Sequence, residues 1–185
     1  VRVRATIAGT VIATSALVGC SSSPDTAPTD TPQPTSAQSS ASAATAPALP
    51  EVTFNPCDDI GDALLLRFGL DPANRDRNEF ALGRETILAC NVVGDHRAVG
   101  FVAQNTAWED IPFDVTPQPA SVNGREAWYV PGGLSDDSCT VLMRTNFGAV
   151  IVDSAPGLSR HPDPSLDRCD SIMEIAEAVE PLIDN

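Results

Sequence analysis

Along residues 51–185 the apolar positions change rhythm several times, and each rhythm predicts a different element. Ile60, Leu64, Leu65 and Phe68 recur at helical spacing and stop at Gly69. This predicts a first helix that starts at Cys57, is capped by Asp58 or Asp59 and runs to about Phe68. Strand-like stretches follow at 84–93 and 97–104, joined through Gly94-Asp95-His96-Arg97 as a hairpin. A second pair, about 113–122 and 125–130, meets at Asn123-Gly124, the strongest two-residue hairpin signal in the chain. A third pair, 139–145 and 148–154, meets around Asn146-Phe147-Gly148. Helical spacing returns from Leu166 to about Ile183, where Cys169, Ile172, Met173, Ala176, Val179 and Ile183 share one face and Asp170, Glu174 and Glu177 occupy the other. Three hairpins between two amphipathic helices predict an α+β fold, an antiparallel sheet with the N- and C-terminal helices packed on one face.

The first residues follow a different logic. Arg2 and Arg4 precede an apolar run from Ala5 to Val18, 14 residues long. A bilayer-crossing helix needs about 20 apolar residues, so the run is expected to be a signal peptide, residues 1–19, that is removed. Leu17-Val18-Gly19-Cys20 resembles the lipid-attachment box of bacterial lipoproteins. That resemblance implies cleavage after Gly19 and diacylglyceryl transfer to the Cys20 thiol, which places the chain on the outer face of the cell membrane. From Ser21 to Pro50, Ser, Thr, Pro and Ala dominate and Leu49 is the one large apolar residue. Residues 20–50 are therefore expected to be a lipidated cysteine and a disordered tether with a reach of roughly 30 Å, leaving residues 51–185 as one globular domain.

Charge narrows the partners. The formal net charge is −14, and removing residues 1–19 takes away two arginines and no acid, leaving −16. Nucleic acid is disfavoured, as is direct adhesion to anionic head groups, so the lipid anchor is the expected membrane contact. All 11 basic residues are arginine, a bias that suggests a GC-rich genome. Apart from Cys20, four cysteines remain in a chain addressed to an oxidising compartment: Cys57, Cys90, Cys139 and Cys169. Of three possible pairings, Cys57 with Cys90 and Cys139 with Cys169 is favoured, because each ties a helix to a nearby strand. Each such bridge contributes about 3 to 4 kcal/mol in the chain-entropy model. A zinc site is disfavoured, since there is no C-x-x-C and neither histidine stands at a close ligand spacing from a cysteine.

Phe54-Asn55-Pro56-Cys57, Gly124-Arg125-Glu126-Ala127, Cys139 and the cysteine-bearing last helix resemble an actinobacterial lipoprotein family, domain of unknown function 3558. The resemblance spans nearly all of 51–185 and includes the lipid box and tether. Members often carry a tryptophan two residues after the second cysteine, where this chain has Cys90, Asn91 and Val92. The resemblance implies an envelope address and supports the disulfide pairing, but it brings no settled activity.

Residues able to do chemistry are sparse. No nucleophile elbow, zinc-protease, Walker or dinucleotide-binding pattern occurs, and Ser154 beside Asp153 lacks an elbow context. His96 and His161 are expected to be solvated loop residues. Asn74, Asp76, Asn78 and Glu85 imitate positions 1, 3, 5 and 12 of a calcium loop, but Glu79 stands where the glycine is needed, so a charged surface loop is expected there. Asp136-Asp137 and Asp163, Asp167 and Asp170 are read as helix caps or solvated charge. Trp128 and Tyr129, ahead of Pro131-Gly132-Gly133, are the candidate ligand or partner surface; strand alternation puts at least one of them in the core, and Trp108 has the same ambiguity. No catalytic residue, metal or cofactor is assigned. The expected role is a non-enzymatic extracytoplasmic binding module for an envelope protein or small ligand, with a sensory or accessory subunit of a membrane complex and a hydrolase using surface carboxylates as alternatives.

Overall fold

All six segments with strand character are strands in the computed structural model, which describes residues 48–183. The apolar run, Cys20 and the tether as far as residue 47 lie outside those residues. A seventh strand, β1 (Leu70–Leu82), precedes β2 (Glu85–Gly94), β3 (Ala98–Gln104), β4 (Gln118–Val122), β5 (Arg125–Pro131), β6 (Cys139–Arg144) and β7 (Ala149–Ser154). The sheet order is β1-β2-β3-β7-β6-β5-β4, and every neighbouring pair is antiparallel. Two meanders, β1-β2-β3 and β4-β5-β6-β7, are thus joined along one seam where β7 pairs with β3.

β1 corrects the expectation of a surface loop at 74–85. It escapes the apolar pattern because it is an edge strand whose helix-side positions are charged: Arg77 lies opposite Cys90 and Arg75 opposite Val92. Those arginines are satisfied from above. Arg75 donates to Asp62 at 2.5 Å and to the Cys57 carbonyl at 2.7 Å, and Arg77 pairs with Asp58. The extended backbone from Asn74 to Asn78 cannot wrap a cation as a calcium loop does.

The helices are shorter than the spacing predicts. α1 (Pro56–Asp59) and α2 (Asp62–Arg67) are separated by Ile60, which is extended and 1% exposed in the core. The cap is Asn55, whose side chain accepts from the Cys57 amide at 3.2 Å, while Asp59 accepts from the Asn55 amide at 2.7 Å. Asp58 is drawn instead to Arg77, so the expected caps are displaced. At the other end α3 spans only Ile172–Val179, followed by a 3-10 turn at Glu180–Leu182. Residues 163–170 form turns closed by Asp163, which accepts from the Ser165 amide, and Asp167, which accepts from the Cys169 amide; Ser171 then enters α3 with a left-handed φ of 57°.

The disulfides pair as expected, Cys57–Cys90 and Cys139–Cys169. The first ties α1 to β2. The second ties β6 to the turn before α3 rather than to the helix itself. Both helical segments lie on one face, where Phe54, Ile60, Leu65, Ile172, Ile175 and Val179 pack with Val92, Phe101, Val141 and Val152. The other face has its own cover. The link from β3 to the far edge strand β4 sends Trp108, Ile111 and Phe113 across Val102, Ile151, Leu142, Val130 and Trp128. That crossing accounts for the late start of β4, expected at about 113.

Arg125 holds the last turn. Its Nε donates to Glu180 at 2.9 Å, and the two side chains are 9% and 16% exposed. Breaking a pair this buried leaves a charge uncompensated, so Arg125→Ala is expected to cost about 3 kcal/mol in urea denaturation. Arg77→Ala, at a solvent-exposed pair, should move the midpoint far less. Equal losses would contradict the assigned weight of burial.

Candidate functional site

Strand alternation separates the two candidate aromatics. Trp128 faces the crossing link, its ring centroid 4.3 Å from that of Trp108 and 6.4 Å from that of Phe113, in an edge contact. It is a packing residue, as is buried Trp108. Tyr129 faces the helices. There the first turn of α3 stands off from β4 and β5, leaving an open groove of about 440 Å³. Tyr129, Ala120, Ile172, Met173 and Cys169 give it apolar walls, and Gln118, Ser171 and Glu174 supply polar groups. The Cys139–Cys169 bridge fixes the turn that leads into this wall.

A second recess of about 660 Å³ lies among the turns at 156–168, lined by Asp137, Pro156, Leu166 and Arg168 with their neighbours. Several charged groups in and beside it are already engaged. Asp163 accepts from both the amide and the hydroxyl of Ser165, which hold its carboxyl below the usual range, and Arg168 donates to the Asp136 carbonyl. Asp170 pairs with Arg97 at 3.4 Å. Asp163 and Asp167 therefore close turns and Asp170 serves as an ion-pair partner, while Asp136 and Asp137 are exposed.

Near these turns the two histidines meet, although 65 residues separate them: His96 Nδ1 lies 3.0 Å from the His161 carbonyl. Both side chains are exposed, as expected for loop residues. Among the described residues no group of three or more histidine, cysteine or acidic side chains could hold a metal ion. Nor is any helix there long and apolar enough to cross a membrane.

One carboxylate was invisible as a candidate in the sequence. Asp153 and Ser154 point to opposite faces of β7. Ser154 Oγ is buried on the helix side with no hydrogen-bond partner among the described residues, whereas Asp153 lies on the other face opposite Thr140 and Gly100. Thr140 donates its hydroxyl to Asp153 Oδ1 at 2.6 Å. Burial pushes the Asp153 carboxyl up from the usual aspartate range, against the opposing effect of hydrogen bonds from Thr140 and Ser138. Its surroundings depend on register across three strands, which local pattern does not reveal.

The model of the DUF3558 family, described as a protein of unknown function, matches residues 15–182. No curated protein and no solved structure matches the chain.

The raised Asp153 pKa carries a sign. The folded protein keeps this proton where the unfolded chain has lost it, so stability from this group is full below the ordinary aspartate value of 3.8 and declines as pH rises through the folded value. Asp153→Asn, which mimics the neutral acid, is expected to be more stable than the parent at about pH 7, with the advantage gone near pH 3. Urea midpoints at both values check this, and identical midpoints at about pH 7 would refute it.

Proposed function

The chain belongs to the DUF3558 family of proteins of unknown function, and we propose that it is an exported lipoprotein whose domain holds a small amphipathic ligand in the groove beside Tyr129. Export is supported by the order of Arg2 and Arg4, apolar run, Gly19 and Cys20, and by two disulfides, which persist in oxidising compartments. Acyl chains on Cys20 would keep the domain at the outer face of the cell membrane, with each buried methylene contributing about 0.8 kcal/mol.

The groove carries the ligand reading. At about 440 Å³ it falls within the range of small-molecule sites, roughly 300–1,000 Å³. Ile172, Met173 and Tyr129 suit an apolar body, and Gln118, Ser171 and Glu174 suit a polar end. These side chains are chemically equipped to hold a molecule, which favours a binding role over an enzymatic one. A protein partner, as for an accessory subunit of a membrane complex, is the competing occupant.

Two measurements test the reading. Cys20→Ala should abolish incorporation of a fatty-acid analogue, and persistent labelling would sink the anchor. A photo-crosslinking amino acid at exposed Gln118, in the full chain in native membranes, should capture a species of a few hundred daltons. Capture of a protein instead, or of the same species from a control position at Asn78, would overturn the small-ligand assignment.

A further inference from the structure

On the face away from the helices, one row of residues runs straight across four strands: Asn91 on β2, Gly100 on β3, Asp153 on β7 and Thr140 on β6. At this end of β3 the positions facing this side are Ala98 and Gly100, both small, before Val102 passes under the crossing link, so the sheet sinks here between β2 and β7. Asn91 and Val93 stand on one side of the depression, Asp153 and Ala155 on the other, and exposed Leu158 borders it. The enclosed space is about 140 Å³. Gly100 leaves room for the Asn91 side chain, since a Cβ there would stand 3.0 Å from Asn91 Oδ1 and push it aside.

We propose that this trough is a binding site for a short-chain alkylammonium ion, with Asp153 and Asn91 Oδ1 receiving the ammonium group and Val93, Ala155 and Leu158 covering the alkyl stem. The site is separate from the Tyr129 groove, on the opposite face of the sheet. Four observations converge on this ligand class. The half-buried Asp153 carboxylate has no ion-pair partner among the described residues, and its hydrogen bonds come from the neutral hydroxyls of Thr140 and Ser138. A carboxylate offers about four acceptor positions, so two remain for a donor. The chain contains no lysine, so no side chain of its own can supply an alkylammonium group to this carboxylate. Finally, 140 Å³ is room for about four or five water-sized groups, enough for an ammonium and a stem of three or four methylenes.

Other cations fit less well. Calcium takes six to eight oxygen ligands, whereas the trough offers one carboxylate and one carboxamide oxygen among its side chains. A guanidinium fork recognises both carboxylate oxygens in parallel, and Thr140 already holds Oδ1. An ammonium needs only single point contacts, and the apolar side chains reward its stem.

The test uses the full chain in detergent at neutral pH, titrated with n-butylammonium chloride and followed by amide and side-chain NMR. Saturable shifts are expected at Asn91, Gly100 and Asp153, with none there from equal sodium chloride. Asp153→Asn, nearly isosteric, should weaken binding at least tenfold while the rest of the spectrum is kept. Leu158→Ala, at an exposed position, should weaken it several-fold by removing stem contact. The proposal is overturned if n-butanol shifts the same signals equally, if Asp153→Asn binds as tightly as the parent, or if the shifts spread without saturation over all surface acids.

Discussion

The architecture depends on covalent attachment of helices too short to stand alone. α1, α2 and α3 have four, six and eight residues, whereas isolated helices below about 12–15 residues are marginal in water. Each helical layer is therefore fixed by a bridge to an interior strand, Cys57 to β2 and Cys139 of β6 to the turn before α3. Arginines then set orientation around the bridges. Arg77 lies opposite Cys90 in register and reaches Asp58, the neighbour of Cys57; Arg97 reaches Asp170, the neighbour of Cys169. The covalent bond limits distance, and the guanidinium fork limits direction.

The two faces of the sheet use different materials. One is closed by helices over a continuous apolar core, with the Tyr129 groove where α3 begins. The other is covered by an irregular link that seats Trp108 against Trp128 and leaves a polar row uncovered at Asn91, Gly100 and Asp153. An antiparallel sheet can afford such asymmetry because its second face need not be buried. Recessed features consequently arise on both faces from different causes: a helix beginning late on one, small side chains on the other.

Much of this was legible from periodicity. Six strands, the hairpin at Asn123-Gly124 and both disulfides follow from alternation, turn chemistry and cysteine placement. β1 did not, because Arg75 and Arg77 occupy positions where the pattern looks for apolar side chains, and their pairing depends on acids in the helices above. Helix lengths were overestimated because spacing cannot register the left-handed Ser171 or the extended Ile60. Alternation shows that Trp128 and Tyr129 point apart, but not which side carries the helices. Asp153 looked ordinary beside Ser154, since its setting is made by Asn91 and Gly100, more than 50 residues earlier.

The position of β7 bears on when the fold can exist at all. The last strand to be made lies in the middle of the sheet, pairing with β3 on one side and β6 on the other. Until Ser154 is free to pair, the first three strands present an unmatched edge at β3, and β4, β5 and β6 can pair only among themselves. Long-range pairings of this sort form slowly. A chain delivered through a narrow channel, amino end first, would therefore remain threadable along most of its length and lock only after its final strand had emerged.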